Sequence, residues 1–419
     1  MLSVSFCGKP MQRVDSDDGF LPARSGVPGR QQQLQSWKEI ASFLGRTVRT
    51  VQRWERYEKL PIRRHVHLDA ASVYAYADEL EAWVSSRTAG VETETRGIST
   101  PSTRTWQTRY VKAHEELRRR TRTSVSAAIV ELRVCVQSDP EWAQLHAALA
   151  EAYLVLSVFE WRPPTESFPE VRGSAERALA LDGDTPMAHA ALGAVAAFYE
   201  ADWRRANTHF DRALRIDPRS AVVRYWFGLV LMNQGRFADA LRELNRAAAL
   251  DPGSPVLVAN LGRPHLCAGD FETAAGYFRL GLEMQPGLWI VEVFLGWALE
   301  AGNRFDEAVE LFERAASASD GEPIALLSLV HAYGRTGRTE AADALIQGVV
   351  CRPGGLFVPP VRMARALVGL SRFEDAFSWL ERAKASRSLA NNVYLPFDRA
   401  FEPISHDPRF RALIASLNI

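Results

Sequence analysis

One spacing constrains this chain more than any other feature. From Ala221 onward, small and bulky residues return at fixed positions in windows of about 34 residues. Windows opening at Ala221, Pro255, Trp289, Pro323 and Phe357 stay in unbroken register. The eighth position of the first three holds Gly228, Gly262 and Gly296. The twentieth holds Ala240, Ala274, Ala308, Ala342 and Ala376, and the twenty-fourth holds Leu244, Phe278, Phe312, Ile346 and Leu380. Pro252 and Pro286 close the first two windows. Small residues at eight and twenty allow two helices to approach closely, and the bulky residue fills the seam between them. A single helix pair cannot bury its own apolar face, so such windows must stack into a solenoid.

These residues resemble the tetratricopeptide repeat (TPR), and the resemblance extends over nearly all of Arg109 to Ile419. Earlier units are looser. Pro186 to Ser220 fits with one extra residue, and Glu141 to Asp184 carries an insertion at Glu160-Trp161-Arg162-Pro163-Pro164. Arg109 to Pro140 is the least regular unit. Asn391 to Ile419 is expected to cap the open end, with Asp407-Pro408 starting its final helix and Pro at the first helical position. The resemblance implies a scaffold for a protein or peptide ligand, whose identity a few surface residues set. In the family the first helix of each unit lines the concave groove. Position nine then gives Leu229, Arg263, Trp297, His331 and Arg365 along the groove, and position five gives Tyr225, Ala259, Val293, Leu327 and Val361. Tyr225, Arg263, Trp297, His331 and Arg365 are the candidate partner-binding residues, since Trp and Arg concentrate binding energy. They suit a peptide with an acidic group; otherwise they pack against neighbouring units or face solvent. The Lys/Asn pattern of chaperone-binding clamps is absent.

A second stretch carries chemistry of a different kind. Ser36-Trp37-Lys38-Glu39 forms a capping box. The helix it opens is expected to bury Trp37, Ile40, Ala41, Phe43 and Leu44. Gly45 suits a tight turn, Thr47 a cap, and Val48, Val51 and Trp54 fall on one face of a following helix. Arg49, Thr50, Gln52, Arg53 and Arg56 are left outward. After Leu60-Pro61, the run Ile62 to His67 alternates, with Ile62, Arg64 and Val66 on one side and Arg63, His65 and His67 on the other. Val73 to Tyr76 reads as the return strand, and Asp78 as the cap of a last helix with Leu80 and Trp83 facing in. The predicted order is helix, turn, helix, hairpin, helix: a winged helix-turn-helix with a small β-wing.

From Gln35 to about Ser85 these residues resemble the excisionase/MerR group of DNA-binding domains. The resemblance implies that the second helix enters the major groove of double-stranded DNA and the wing contacts its backbone. Arg49, Gln52 and Arg53 are then expected at base edges, whose donor and acceptor patterns Arg and Gln match. Arg46, Arg63 and His65 are expected at phosphates, and Thr50 and Arg56 complete the candidate DNA-binding set. The long dimerisation helix of MerR proteins is missing, so a homodimer would have to form through the solenoid, the DNA or a bridging partner.

Composition sets the remaining bounds. The 419 residues hold 50 Lys+Arg and 50 Asp+Glu, so any basic surface is local. Cys7, Cys135, Cys267 and Cys351 form no C-x-x-C pair, which argues against zinc and for a reducing compartment. No apolar run is long enough to span a bilayer, so a cytoplasmic location is expected. His65 and His67 share a strand face without a nearby third ligand, which favours phosphate contact or solvent over metal. The run Arg118-Arg119-Arg120 with Arg122 reads as a solvated helix end or a supplementary DNA contact. There is no nucleophile-base spacing, phosphate loop or H-e-x-x-H pattern, so neither a catalytic site nor a cofactor is expected. The expected organisation is mainly α: a disordered lead-in over 1–35, or a start at Met11 instead; the winged domain over 36–86; a flexible linker over 87–105; the solenoid over 106–390; and a cap over 391–419. The expected role is a non-enzymatic transcription regulator that couples partner binding to DNA occupancy. Its rivals are an interaction scaffold that no longer binds DNA and an excisionase-like recombination accessory factor.

Overall fold

The computed structural model describes residues 33–44, 48, 51–52, 55, 60–65, 72–80, 82–83, 102–319, 321–351, 357–392 and 395–417. They fall into two compact units, Met1–Thr100 and Pro101–Ile419.

In the first unit Ser36 caps the helix Trp37–Phe43. Its hydroxyl accepts the Glu39 N–H at 3.2 Å, while the Glu39 carboxylate accepts the N–H of Gln35 at 2.8 Å, one residue before the cap. Three antiparallel strands follow the order β1 (Gln33–Leu34), β3 (Ser72–Tyr76), β2 (Arg63–His65). Arg64 pairs with Val73, and Leu34 with Ala75. Ile40, Val51, Ala75 and Leu80 are fully buried, with Trp37, Leu44, Val48, Ile62 and Trp83 packed around them.

Three expectations are corrected here. Gln33–Leu34 is a paired strand, so the lead-in ends earlier and the folded part begins before residue 36; buried Leu34 supplies the reason. Phe43 is exposed, two residues past the buried Ile40–Ala41 stripe. Asp78 lies inside a helix already under way at Ala77, so it is not the cap. Arg64 on β2 is exposed and reaches Glu55.

In the second unit the first helix begins at Ser102, inside the expected linker 87–105. Eight helix pairs follow among the described residues, from Ser102–Arg119 with Arg122–Ser138 to Pro360–Gly369 with Phe373–Ala385. The helices Ala221–Asn233, Trp289–Ala301 and Pro323–Arg335 start where the repeat register puts them. The last window departs: its first helix starts at Pro360 rather than Phe357, with Pro at the first helical position. In the window that opens at Pro255, Pro264 lacks an N–H and its ring crowds the carbonyl four residues back. That helix therefore breaks into Pro255–Asn260 and Gly262–Cys267. The C-terminal helix Pro408–Ala415 is capped by Asp407, whose carboxylate accepts the Arg409 N–H.

The seam works as the spacing requires. Ala240, Ala274, Ala308, Ala342 and Ala376 are fully buried, as are Leu244, Phe278 and Phe312. A Cβ added at Gly228 would sit 2.7 Å from the Leu244 side chain, and one at Gly262 would sit 2.7 Å from the Ala274 carbonyl. Gly193, in a looser unit, meets Phe210 in the same way at 2.8 Å. Burying each such seam side chain contributes about 1.5–3 kcal/mol of transfer free energy.

A second register lies in the turn between paired helices. Residues 201, 235, 269, 303, 337 and 371 all have positive φ and stand 34 apart. Gly fills three of these places; Ala201, Asn303 and Ser371 fill the others. A side chain there costs about 1–2 kcal/mol. Ala201→Gly should therefore raise stability by about 0.5–1 kcal/mol once the entropy of the freer chain is deducted. Gly276→Ala, in mid-helix with nothing within 4 Å of the new Cβ, should raise it by a similar amount. Gly228→Ala should lower it by about 1–3 kcal/mol. Thermal unfolding of the three variants checks the set; a gain for Gly228→Ala would break the seam argument.

Candidate functional site

The inner wall of the repeat domain gathers the candidate partner-binding residues. Position nine turns inward in every unit where it was assigned: Leu229, Trp297, His331 and Arg365 are buried, and Arg263 is half-buried. Tyr225 and the other position-five residues are buried as well.

His331, Arg365 and Trp297 form one cluster. His331 Nδ1 lies 2.8 Å from Glu300 Oε1, and Arg365 Nη2 donates to Glu300 Oε2. Arg365 Nε donates to Asp398 Oδ2 at 3.1 Å. Trp297 Nε1 donates to Ser328 at 2.9 Å, and the guanidinium groups of Arg362 and Arg365 lie 4.7 and 5.5 Å from the centre of its ring. Burial alone would raise the Glu300 carboxyl, but Arg365 and then His331 hold it below the ordinary carboxylate value. A cavity of about 260 Å³ opens beside this cluster, walled on its far side by Asp398, Arg399 and Glu402 from the C-terminal segment.

Of the two arginines expected along the groove, Arg365 follows the packed alternative. Arg365 is already engaged by two carboxylates of its own chain, one of them from the segment that follows the last repeat. Among the described residues Arg263 has no carboxylate contact; its guanidinium donates to Asn260 and lies 5.0 Å from the centre of the Phe294 ring.

The insertion Glu160 to Pro164 closes the repeat domain upon itself. Glu160 and Trp161 are buried. The Trp161 indole donates to Glu322 at 2.9 Å, and Arg122 bridges the same carboxylate through Nε and Nη2. Glu160 Oε1 accepts from Ser388 Oγ, from Asn392 Nδ2 at 3.0 Å and from Asn391 Nδ2 at 3.4 Å. Arg120 stands over Tyr225 and Trp226, 5.5 and 5.8 Å from the ring centres. Half of the basic run around Arg120 thus turns inward, and the reading of it as a solvated end or DNA contact is corrected for Arg120 and Arg122. Aromatic rings and a buried carboxylate hold them there.

Of the candidate DNA-binding residues, Gln52 is exposed one residue beyond fully buried Val51. Arg63 is exposed on β2, pairs with Glu79 at 2.7 Å and lies 5.0 Å from the centre of the Tyr76 ring. His65 ends β2; its side chain, with Arg46, Arg49, Thr50, Arg53 and Arg56, lies outside the described residues. Residues 1–32 of the expected lead-in, 84–86 of the expected winged domain and 87–101 of the expected linker also lie outside them.

A family model described as "Tetratricopeptide repeat" matches residues 192–255 and 260–323. The chain carries tetratricopeptide repeats. It is also similar to the transcriptional regulator HilA of Salmonella typhimurium, with 27% identity over 143 residues, 34% of this chain and 26% of HilA. It therefore spans about a quarter of that relative's length. Among solved structures it is similar to an IFIT1 monomeric mutant with Gppp-AAAA, at TM-score 0.52 and 13% identity over 78% of this chain and 77% of that one. It is similar to yeast Tom70 at TM-score 0.45 and 14% identity, over 90% and 85% of the two chains. The IFIT1 likeness is one of fold. Among the described residues no helix is long and apolar enough to cross a membrane.

The seam at Glu160 makes the stability of the TPR domain sensitive to pH. Burial pushes the Glu160 carboxyl up from 4.5 to about 7, against the opposing pull of Ser388, Arg362, Asn391 and Asn392. Between those values the folded chain keeps a proton that the unfolded chain has released. The stabilisation is complete at the low end and is lost as pH rises through the window. Glu300, held below its ordinary value, titrates outside it. The stability of the wild type relative to Glu160→Gln should therefore grow by on the order of 1–3 kcal/mol from pH 8 to pH 5. Denaturant melts at both pH values measure it; a constant difference would mean that Glu160 stays ionised throughout.

Proposed function

We propose that this protein is a non-enzymatic, cytoplasmic DNA-binding transcription regulator, in which the N-terminal unit is a winged helix-turn-helix and the TPR domain receives a partner. The carrying observation is the register at Val51-Gln52: Val51 is fully buried while Gln52 is exposed, the inside-outside split that a helix presented to the major groove requires. The three-stranded sheet, with exposed Arg63 and Arg64 on β2, supports a wing. The partial similarity to HilA, a transcriptional regulator, supports the regulatory role. TPR domains are interaction scaffolds, and a protein or peptide partner would bias DNA occupancy from there.

A second reading has its own support. Arg63 and Arg64 are each paired with a carboxylate of their own unit, Glu79 and Glu55. A wing whose cations stay neutralised would leave the protein a TPR scaffold without DNA binding. Exposed pairs of this kind are worth about 0–1 kcal/mol, so a phosphate can replace the carboxylate at little cost.

Genome-wide DNA capture with the full chain separates the two readings, because only a DNA-binding protein enriches sites. On an enriched site, Gln52→Ala should cost about 1–3 kcal/mol and relax preference at one base pair. Arg63→Ala should weaken all sequences alike and reduce the salt slope by about one. Unchanged base preference in Gln52→Ala would remove that residue from the reading helix, and no enriched sites would leave the scaffold.

A further inference from the structure

A second cavity, of about 70 Å³, lies inside the TPR domain. Three arginines line it, Arg120, Arg263 and Arg362, together with the rings of Tyr225, Trp226 and Phe294. No Asp or Glu is among its lining residues. Three half-buried guanidinium groups border one space with no carboxylate among its lining residues, so the charge on its wall favours an anion. Arg263 shows the deficit most plainly. Among the described residues its hydrogen bond is to the neutral Asn260 side chain at 3.3 Å, and its ring partner is Phe294. Burial lowers its pKa, and no carboxylate acts on it in return. Arg362 is pulled down to about 10 by burial, with Glu160 and Asp398 offsetting part of the effect. Burial pushes the Glu151 carboxyl up, and the charge of Arg120 offsets part of that rise. Trp226 adds a neutral donor: the residue is 1% exposed, and its Nε1–H is buried with no hydrogen-bond partner.

The backbone holds this arrangement in place. Arg120 has a φ of 52° at the turn between the first pair of helices, one of the positions where the chain adopts left-handed geometry. Pro264 breaks the helix beside Arg263 and Asn260. Trp297, which also walls the larger cavity beside Glu300, separates the two spaces.

We infer that this cavity is a binding site for the anionic headgroup, phosphate or carboxylate, of a small organic molecule whose flat apolar part lies against Tyr225, Trp226 and Phe294. The volume suits a headgroup, since a water needs about 10–15 Å³ on the same measure. Arginine recognises both anions through paired N–H donors. At about 70 Å³ it takes a small molecule rather than an extended peptide. It goes beyond the proposed partner binding and does not depend on DNA.

Thermal unfolding and calorimetric titration of the full chain test it at constant ionic strength, with phenyl phosphate, benzoate, inorganic phosphate and, as a cationic control, benzylamine. Phenyl phosphate or benzoate should raise Tm with concentration, and benzylamine should not. The stronger of the two identifies the headgroup, and an equal effect from inorganic phosphate would restrict recognition to the headgroup. Arg263→Met should weaken binding about 10–100-fold, as loss of a charge-assisted hydrogen bond does, and should leave the ligand-free Tm unchanged or raised. Trp226→Phe keeps the ring, removes the N–H and should weaken binding several-fold. No Tm rise with any anion overturns the proposal, as does equal binding in Arg263→Met, which would place the anion elsewhere on the chain. If Arg263→Met fails to fold, Trp226→Phe decides, and unchanged affinity there overturns it.

Discussion

Close approach of two helices over a glycine is the contact on which the repeat domain depends. At Gly193, Gly228, Gly262 and Gly296 the missing side chain is the space into which a seam residue of the partner helix fits. Phe210, Leu244, Phe278 and Phe312 are each fully buried there. The distance between helices sets the tilt of each pair, and the tilt repeated over successive pairs sets where the inner wall runs. Trp297, His331 and Arg365 meet on that wall because they hold the same position in successive units. The ion cluster is thus a product of the packing rule, though its residues take no part in the seam.

An inner wall of this kind can be left open to a partner or filled by the chain itself. Here much of it is filled. The insertion around Glu160 and Trp161 reaches Ser388, Asn391 and Glu322, and the segment carrying Asp398 and Arg399 covers the cluster at Glu300. What remains are small cavities lined by charged and aromatic side chains. Recognition in such spaces is governed by volume and hydrogen bonding more than by the length of the ligand.

The regular part of the fold was legible in the sequence because the seam is local in sequence. Position eight and position twenty-four lie in one window, so their sizes covary along the chain. The left-handed turn register was present in the same sequence but hidden, since Ala201, Asn303 and Ser371 occupy places where only a run of glycines would have signalled it. The pairing of Gln33–Leu34 with β3 was not legible for a related reason: two residues are too few to show alternation. The site was legible in part. Position nine put Trp297, His331 and Arg365 along one groove, but their carboxylate partners lie at other repeat positions or beyond the repeats. Nothing at Arg120 or Glu160 announced that they turn inward, because the partners that hold them stand at Tyr225 and Trp226 or near residue 390.

The ties across the repeat domain change what kind of polymer it is. An open solenoid is nearly one-dimensional: each unit touches only its neighbours, and the array can fray or be shortened from either end. Here Asn391 donates to the Ser157 carbonyl, 234 residues away, and Arg122 is held by Glu322, 200 residues away. Such contacts close loops far longer than one repeat, and their entropy must be met before any reward is gained. The domain is thus bound to gain cooperativity and lose folding speed relative to an open array of the same units. Its early and late repeats become thermodynamic neighbours, so a disturbance at one end of the sequence is felt at the other without passing through the units between them.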